Sequence, residues 1–147
     1  MEIKELGHVV LYVTDVSKMA DFYRDTLGFK ELDRGGGFAV FSSGRTHHEL
    51  LLLEIGGEPK HKNFPEPGLY HIGFKIGDGP EALKTVYREL KEKGVRIIGA
   101  TDHNVTHSLY ILDPDGNELE LYSDVSDEWK TNPKAVMKPA KRLLLEE

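Results

Sequence analysis

At 147 residues the chain has the length of one domain and can bury roughly 70% of its unfolded surface. Its formal net charge is −6 and its one basic cluster lies in the tail "KPAKRLLLEE", so it lacks the concentrated basic surface that binding to nucleic acid requires. There is no cysteine to form a disulfide, and neither the start "MEIKELGHVV" nor any later stretch has the apolar run of a secretory signal or a membrane span, which points to a soluble cytoplasmic protein with no membrane partner.

The stretch "GHVVLYVTDV" (7–16) alternates apolar and polar residues as a half-buried strand does, with His8 at its start. A helical pattern follows in "VSKMADFYRDTLGF", where Val16, Met19, Phe22, Tyr23 and Leu27 share one stripe. Three short strands are predicted at about 28–33, 37–42 and 47–54. The segment "GGEPKHKNFPEPG", rich in Gly and Pro, reads as a linker.

The same order then recurs. "YHIGFKIGDG" (70–79) opens a strand with His71, 63 residues after His8. The helix "GPEALKTVYRELKEKG" carries Leu83, Val86, Tyr87 and Leu90 on one stripe, with Pro80 in the first turn and Gly94 at the stop. Strands are predicted at about 95–99, 107–112 and 117–122, the last two joined by a tight turn over Asp113, Pro114, Asp115, Gly116 and Asn117. Glu120 stands out because it lies between Leu119 and Leu121.

The unit is therefore βαβββ, used twice, over about 5–55 and 68–123. The expected architecture is α+β, a single module over 1–125 with a cavity between two curved mixed sheets. Residues 126–147 fall outside the repeat; "DEWKT" is expected to cap the module through Trp129 or to anchor a loose terminus, and "AKRLLLEE" reads as a short packing helix or as that terminus.

The duplicated βαβββ unit, with a histidine opening each copy and "DPDGNELELY" closing the second, resembles the vicinal oxygen chelate superfamily. That group includes glyoxalase I, methylmalonyl-CoA epimerase, fosfomycin-resistance thiol transferases, bleomycin-resistance proteins and extradiol dioxygenases. "TDHNVTHSLYILDPDGNELE" satisfies the extradiol dioxygenase signature through His103, Leu109, Tyr110, Asp113, Pro114, Gly116 and Glu120. "HHELLLLE" and "GLYHIGFKI" are similar to the catechol 2,3-dioxygenase branch.

The resemblance implies metal ligation by His8, His71 and Glu120, with Fe(II), or Mn(II) as in some relatives. Such a set leaves positions open for a substrate and oxygen. It implies an acid–base role for His48, with His47 facing away, and places His103 and Tyr110 beside the substrate. Tyr122, Phe74 and Lys75 are candidate wall residues. His61, His107 and Glu118 have no implied part in the chemistry. Glyoxalase I and the epimerase use a fourth, glutamate ligand where this chain has Leu50 or Leu51; Glu49 or Glu54 takes that place if the strand slips, because a one-residue slip reverses the facing.

The implied activity is extradiol cleavage of a catechol-type aromatic diol with O2, by a homodimer or higher assembly. The alternatives are a fosfomycin-type thiol transferase, a glyoxalase- or epimerase-like enzyme, and a metal-free small-molecule binding protein.

Overall fold

A computed structural model describes residues 1–59 and 65–145; His61, to which no role was assigned, and part of the linker lie outside them. The chain forms two compact units, one made of the N-terminal half with Asp113–Gly116, the other of the remainder.

In the first unit, β1 (Val9–Val13), α1 (Val16–Asp21), β2 (Glu31–Gly35), β3 (Phe38–Phe41) and β4 (Leu50–Glu54) follow in order. The sheet order is β1-β4-β3-β2, with β1 parallel to β4 and the other pairs antiparallel. Alternation decides the buried face: Leu11, Val13, Ala39, Phe41, Leu50 and Leu52 join Met19, Ala20 and Tyr23 in the core. The Asp15 carboxylate caps α1 by accepting from the Lys18 N–H at 2.9 Å, and Glu54 accepts from the Val16 N–H at 2.8 Å. The predicted helix is α-helical only to Asp21 and continues as a wider π-helical turn over Phe22–Thr26. Gly28, at φ 72°, supplies the left-handed conformation that ends it.

The Asp113–Gly116 turn belongs to this unit because its carboxylates are satisfied there. The buried Tyr23 hydroxyl donates to Asp113 at 2.8 Å, and Asp115 accepts from the Thr14 N–H and hydroxyl at 2.8 and 2.6 Å. The two aspartates of this turn thus have a structural use.

The second unit repeats the order with β5 (His71–Asp78), α2 (Pro80–Glu92), β6 (Ile97–Asp102), β7 (Thr106–Leu112) and β8 (Glu118–Asp124). Its sheet order is β5-β8-β7-β6, again with the first strand parallel to the last, plus an added edge strand β9 (Lys141–Arg142). Leu83 and Leu90 of α2 are buried, as are Leu109, Ile111, Leu119 and Leu121 of the sheet. The α+β class and the βαβββ duplication are those expected, and each sheet is open.

The tail departs from expectation. "AKRLLLEE" does not form a helix among the described residues: Lys141 and Arg142 pair antiparallel with Asp102 and Thr101 of β6. The free edge of β6 offers unpaired backbone groups that a short added strand can take up. Trp129 sits on a 3-10 turn, Glu128–Lys130, and stays 42% exposed, so it does not seal the module as a buried cap. Among the described residues no helix is long and apolar enough to cross a membrane.

Candidate metal-binding and acid–base site

Glu120 is explained by the period of β8. Leu119, Leu121 and Ser123 are buried on one face, which leaves Glu118, Glu120 and Tyr122 on the other. In register, Glu120 lies beside Gly73 on β5 and Tyr110 on β7. With no side chain at Gly73, the Glu120 carboxylate leans toward His71, and its Oε2 lies 3.0 Å from His71 Nε2.

The other oxygen of Glu120 faces Tyr110, whose hydroxyl donates to Oε1 at 3.4 Å. His103 Nε2 lies 2.8 Å from the same hydroxyl. With the tyrosine proton directed at Glu120, the bond to His103 calls for the tautomer carrying its proton on Nε2. His103, Tyr110, Glu120 and His71 therefore form a continuous polar chain on one sheet face. Tyr110 is pushed up to about 12, by burial first and then by the charge and hydrogen bond of Glu120, so it stays protonated at neutral pH. His103 is held by the turn after β6, where its N–H donates to the Thr106 carbonyl at 2.9 Å and Asn104 adopts φ 68°. Asparagine tolerates that conformation better than most residues.

His8 and His48 come together in the first unit, with ring centroids 4.4 Å apart. His47 was expected to face away; instead its Nδ1 lies 2.5 Å from His48 Nδ1 and its ring 6.1 Å from that of His8. The reason is that β4 begins only at Leu50, so alternation does not govern residues 47 and 48. Lost hydration, then the neighbouring His8 and His47, lower the pKa of His48 against the opposing pull of Glu49.

Both candidate fourth carboxylates are otherwise engaged. Glu49 accepts from the backbone N–H groups of Ser43 (2.7 Å) and Thr46 (3.1 Å) and from the Ser43 hydroxyl. Burial raises its pKa, but these hydrogen bonds outweigh it and leave Glu49 below the usual carboxylate range. Glu54 caps α1. The β1–β4 register places Leu51 beside Val10, while Leu50 is fully buried.

Of the wall candidates, Tyr122 shares the face of Glu120. Lys75 is held by Asp78 and Asp124 at 2.7 and 2.6 Å. Phe74 lies in register with the buried Leu121, on the alternate face, and so is not a wall residue. His107, 3.8 Å from Asp102, has no part in the polar chain.

Among the described residues no three His, Asp or Glu side chains converge as a ready cluster for a metal ion. The His71–Glu120 pair nonetheless fits one. An imidazole nitrogen and a carboxylate oxygen, each about 2.1 Å from a metal and at right angles, lie about 3 Å apart. The buried Nδ1 of His71 also lacks a hydrogen-bond partner, which leaves the ring incompletely satisfied.

The duplicated fold and this polar face define the class. Residues 5–121 match the model of the Glyoxalase/Bleomycin resistance protein/Dioxygenase superfamily, and the chain belongs to that superfamily, the vicinal oxygen chelate proteins. It is 31% identical to biphenyl-2,3-diol 1,2-dioxygenase 2 of Rhodococcus globerulus, over 82% of this chain and 63% of that protein. It is 32% identical to metallothiol transferase FosB of Staphylococcus epidermidis, over 82% of this chain and 84% of that protein. A glyoxylase/bleomycin resistance protein/dioxygenase domain from Frankia sp. EAN1pec shares the fold, with a TM-score of 0.68 and 24% identity over 84% of this chain and 99% of that one. The chain spans less than two thirds of the dioxygenase relative's length.

Proposed function

We propose that the protein is a metal-dependent extradiol dioxygenase that cleaves a catechol-type aromatic diol with O2. The observation that carries this reading is the chain His103–Tyr110–Glu120–His71, which places a phenol and an imidazole next to a His/Glu pair suited to a divalent metal. His8, His71 and Glu120 would hold Fe(II), or Mn(II). The metal would supply positive charge that favours ionisation of the diol and a place for oxygen beside it.

The rest falls to the chain's own groups. With the diol bound, the Tyr110 hydroxyl, protonated at neutral pH, turns its one proton from Glu120 to a diol oxygen while it goes on accepting from His103. His48, its pKa lowered, is neutral at physiological pH and accepts and returns a proton. The module over residues 1–125 acts in the cytoplasm as a homodimer or higher assembly.

A second reading is a metallothiol transferase. It is favoured by the relative of that name, which this chain matches over 84% of its length. A glyoxalase- or epimerase-like enzyme is disfavoured, since Glu49 and Glu54 are held by backbone N–H groups.

The test is to load the protein anaerobically with Fe(II), then mix it with oxygen and a series of substituted catechols. Oxygen uptake with a yellow ring-cleavage product, absent in His71→Ala, is the expected result. Thiol consumption with fosfomycin and no oxygen uptake would replace the dioxygenase by the transferase.

A further inference from the structure

His71 begins β5, and its register partner in the parallel pair with β8 is Glu118. Glu118 and Glu120 are two residues apart and emerge on one face, so both carboxylates reach the same imidazole, one from each side. Glu120 meets Nε2 at 3.0 Å, while Oε1 of Glu118 lies 3.8 Å from Nδ1. That second distance is about 1 Å longer than an N–H···O hydrogen bond. Nδ1 itself is buried and has no hydrogen-bond partner. A buried ring nitrogen left unpaired costs free energy, and Glu118 is a nearby group able to pair it.

Glu118 is also tethered. The phenol of Tyr70, next to His71 in sequence, hydrogen-bonds the Glu118 carboxylate. Its ring stacks at a tilt on His71, centroids 4.6 Å apart. The side chains of His71 and Glu118 are only 23% and 19% exposed, so water competes little for Nδ1.

We infer that Glu118, braced by Tyr70, is a positioning residue for the metal centre: it accepts the Nδ1–H of His71 and thereby directs Nε2, beside Glu120, at the metal. This rests on the proposed ligation by His71 and Glu120. A histidine bound to a metal through one ring nitrogen has its tautomer fixed by what the other donates to, and a carboxylate in that place strengthens the ligand. Glu118 thus takes a chemical part that its strand position alone did not suggest, and no step of the proposed reaction passes through it.

The test is calorimetric titration of the full chain with Mn(II), comparing wild type with Glu118→Leu, Glu118→Gln, Tyr70→Phe and Glu120→Ala. Glu118→Leu is expected to weaken affinity roughly 10–100-fold. Glu118→Gln, which keeps an acceptor oxygen, should recover part of that loss, and Tyr70→Phe should cost less than Glu118→Leu. In the Zn(II)-loaded protein, NMR should show a slowly exchanging His71 Nδ1 proton that Glu118→Leu removes, a signature that a merely structural role would leave in place. Wild-type affinity in both Glu118 variants, with Glu120→Ala strongly impaired, would overturn the role of Glu118 and leave the metal reading intact. No binding by wild type would instead remove the metal reading and this inference with it.

Discussion

The Tyr110 hydroxyl touches a proposed metal ligand, Glu120, and a proposed substrate-side histidine, His103, at once. Replacing it with Phe removes that hydroxyl while keeping the ring packed against His71, 5.6 Å away. Tyr110→Phe is expected to lower kcat roughly 100-fold, with metal affinity changed far less; steady-state rates beside a metal titration would show the split. Glu49 and Glu54 make the opposite case. Ala at either position should cost about 1 kcal/mol of stability through lost backbone hydrogen bonds, yet leave metal affinity unchanged. A large loss of affinity in either variant would restore the four-ligand alternative. Glu120 was legible in the sequence, since a charged residue between two leucines on a strand must face away from the core. Glu118 shares its period and was legible for the same reason, but the motif gave it no role. His47 was not legible, because a loop has no period to read.

The turn Asp113–Gly116 does more than reverse the chain. Its buried bond to Tyr23 is a charged hydrogen bond, and Tyr23→Phe should cost about 2 kcal/mol in chemical denaturation. Burial first, then the charge of Asp113 and the bond to it, hold the Tyr23 phenol well above its ordinary range. The stability from this group is fully present below the unfolded value of about 10 and is lost as pH rises through the raised folded value. Wild-type stability should therefore fall above about pH 10, and the fall should be smaller in Tyr23→Phe.

The tail has a comparable use at the other end of the repeat. The Asn104 side chain donates to the carbonyls of Pro139 (3.1 Å) and Lys138 (3.5 Å), while β9 pairs with the end of β6. Both contacts steady the turn that carries His103. Deleting residues 138–147 should lower kcat roughly 10-fold and leave metal affinity unchanged; equal kcat would show that the turn stands alone. None of this was readable from "AKRLLLEE", because a two-residue strand has no pattern and three consecutive leucines fit a helix as well as an edge.

At the scale of the whole molecule, the duplication was the most legible feature. Two histidines 63 residues apart open equivalent strands, and each first strand pairs in parallel with the fourth of its own copy. The pattern is readable because alternation, helix stripe and turn residues all repeat together and agree about the same fold. Chemistry is less legible at this scale, since one superfamily with one scaffold includes relatives named for dioxygenation and for thiol transfer. The proposed reaction requires that His8, His71 and Glu120 hold a single divalent metal. The most direct test is metal content and affinity for Fe(II), under anaerobic conditions, of wild type and of His8→Ala, His71→Ala and Glu120→Ala. One metal per chain in wild type and a severe loss of affinity in each variant are the expected results. Wild-type affinity in all three variants, or no metal bound by wild type, would contradict it.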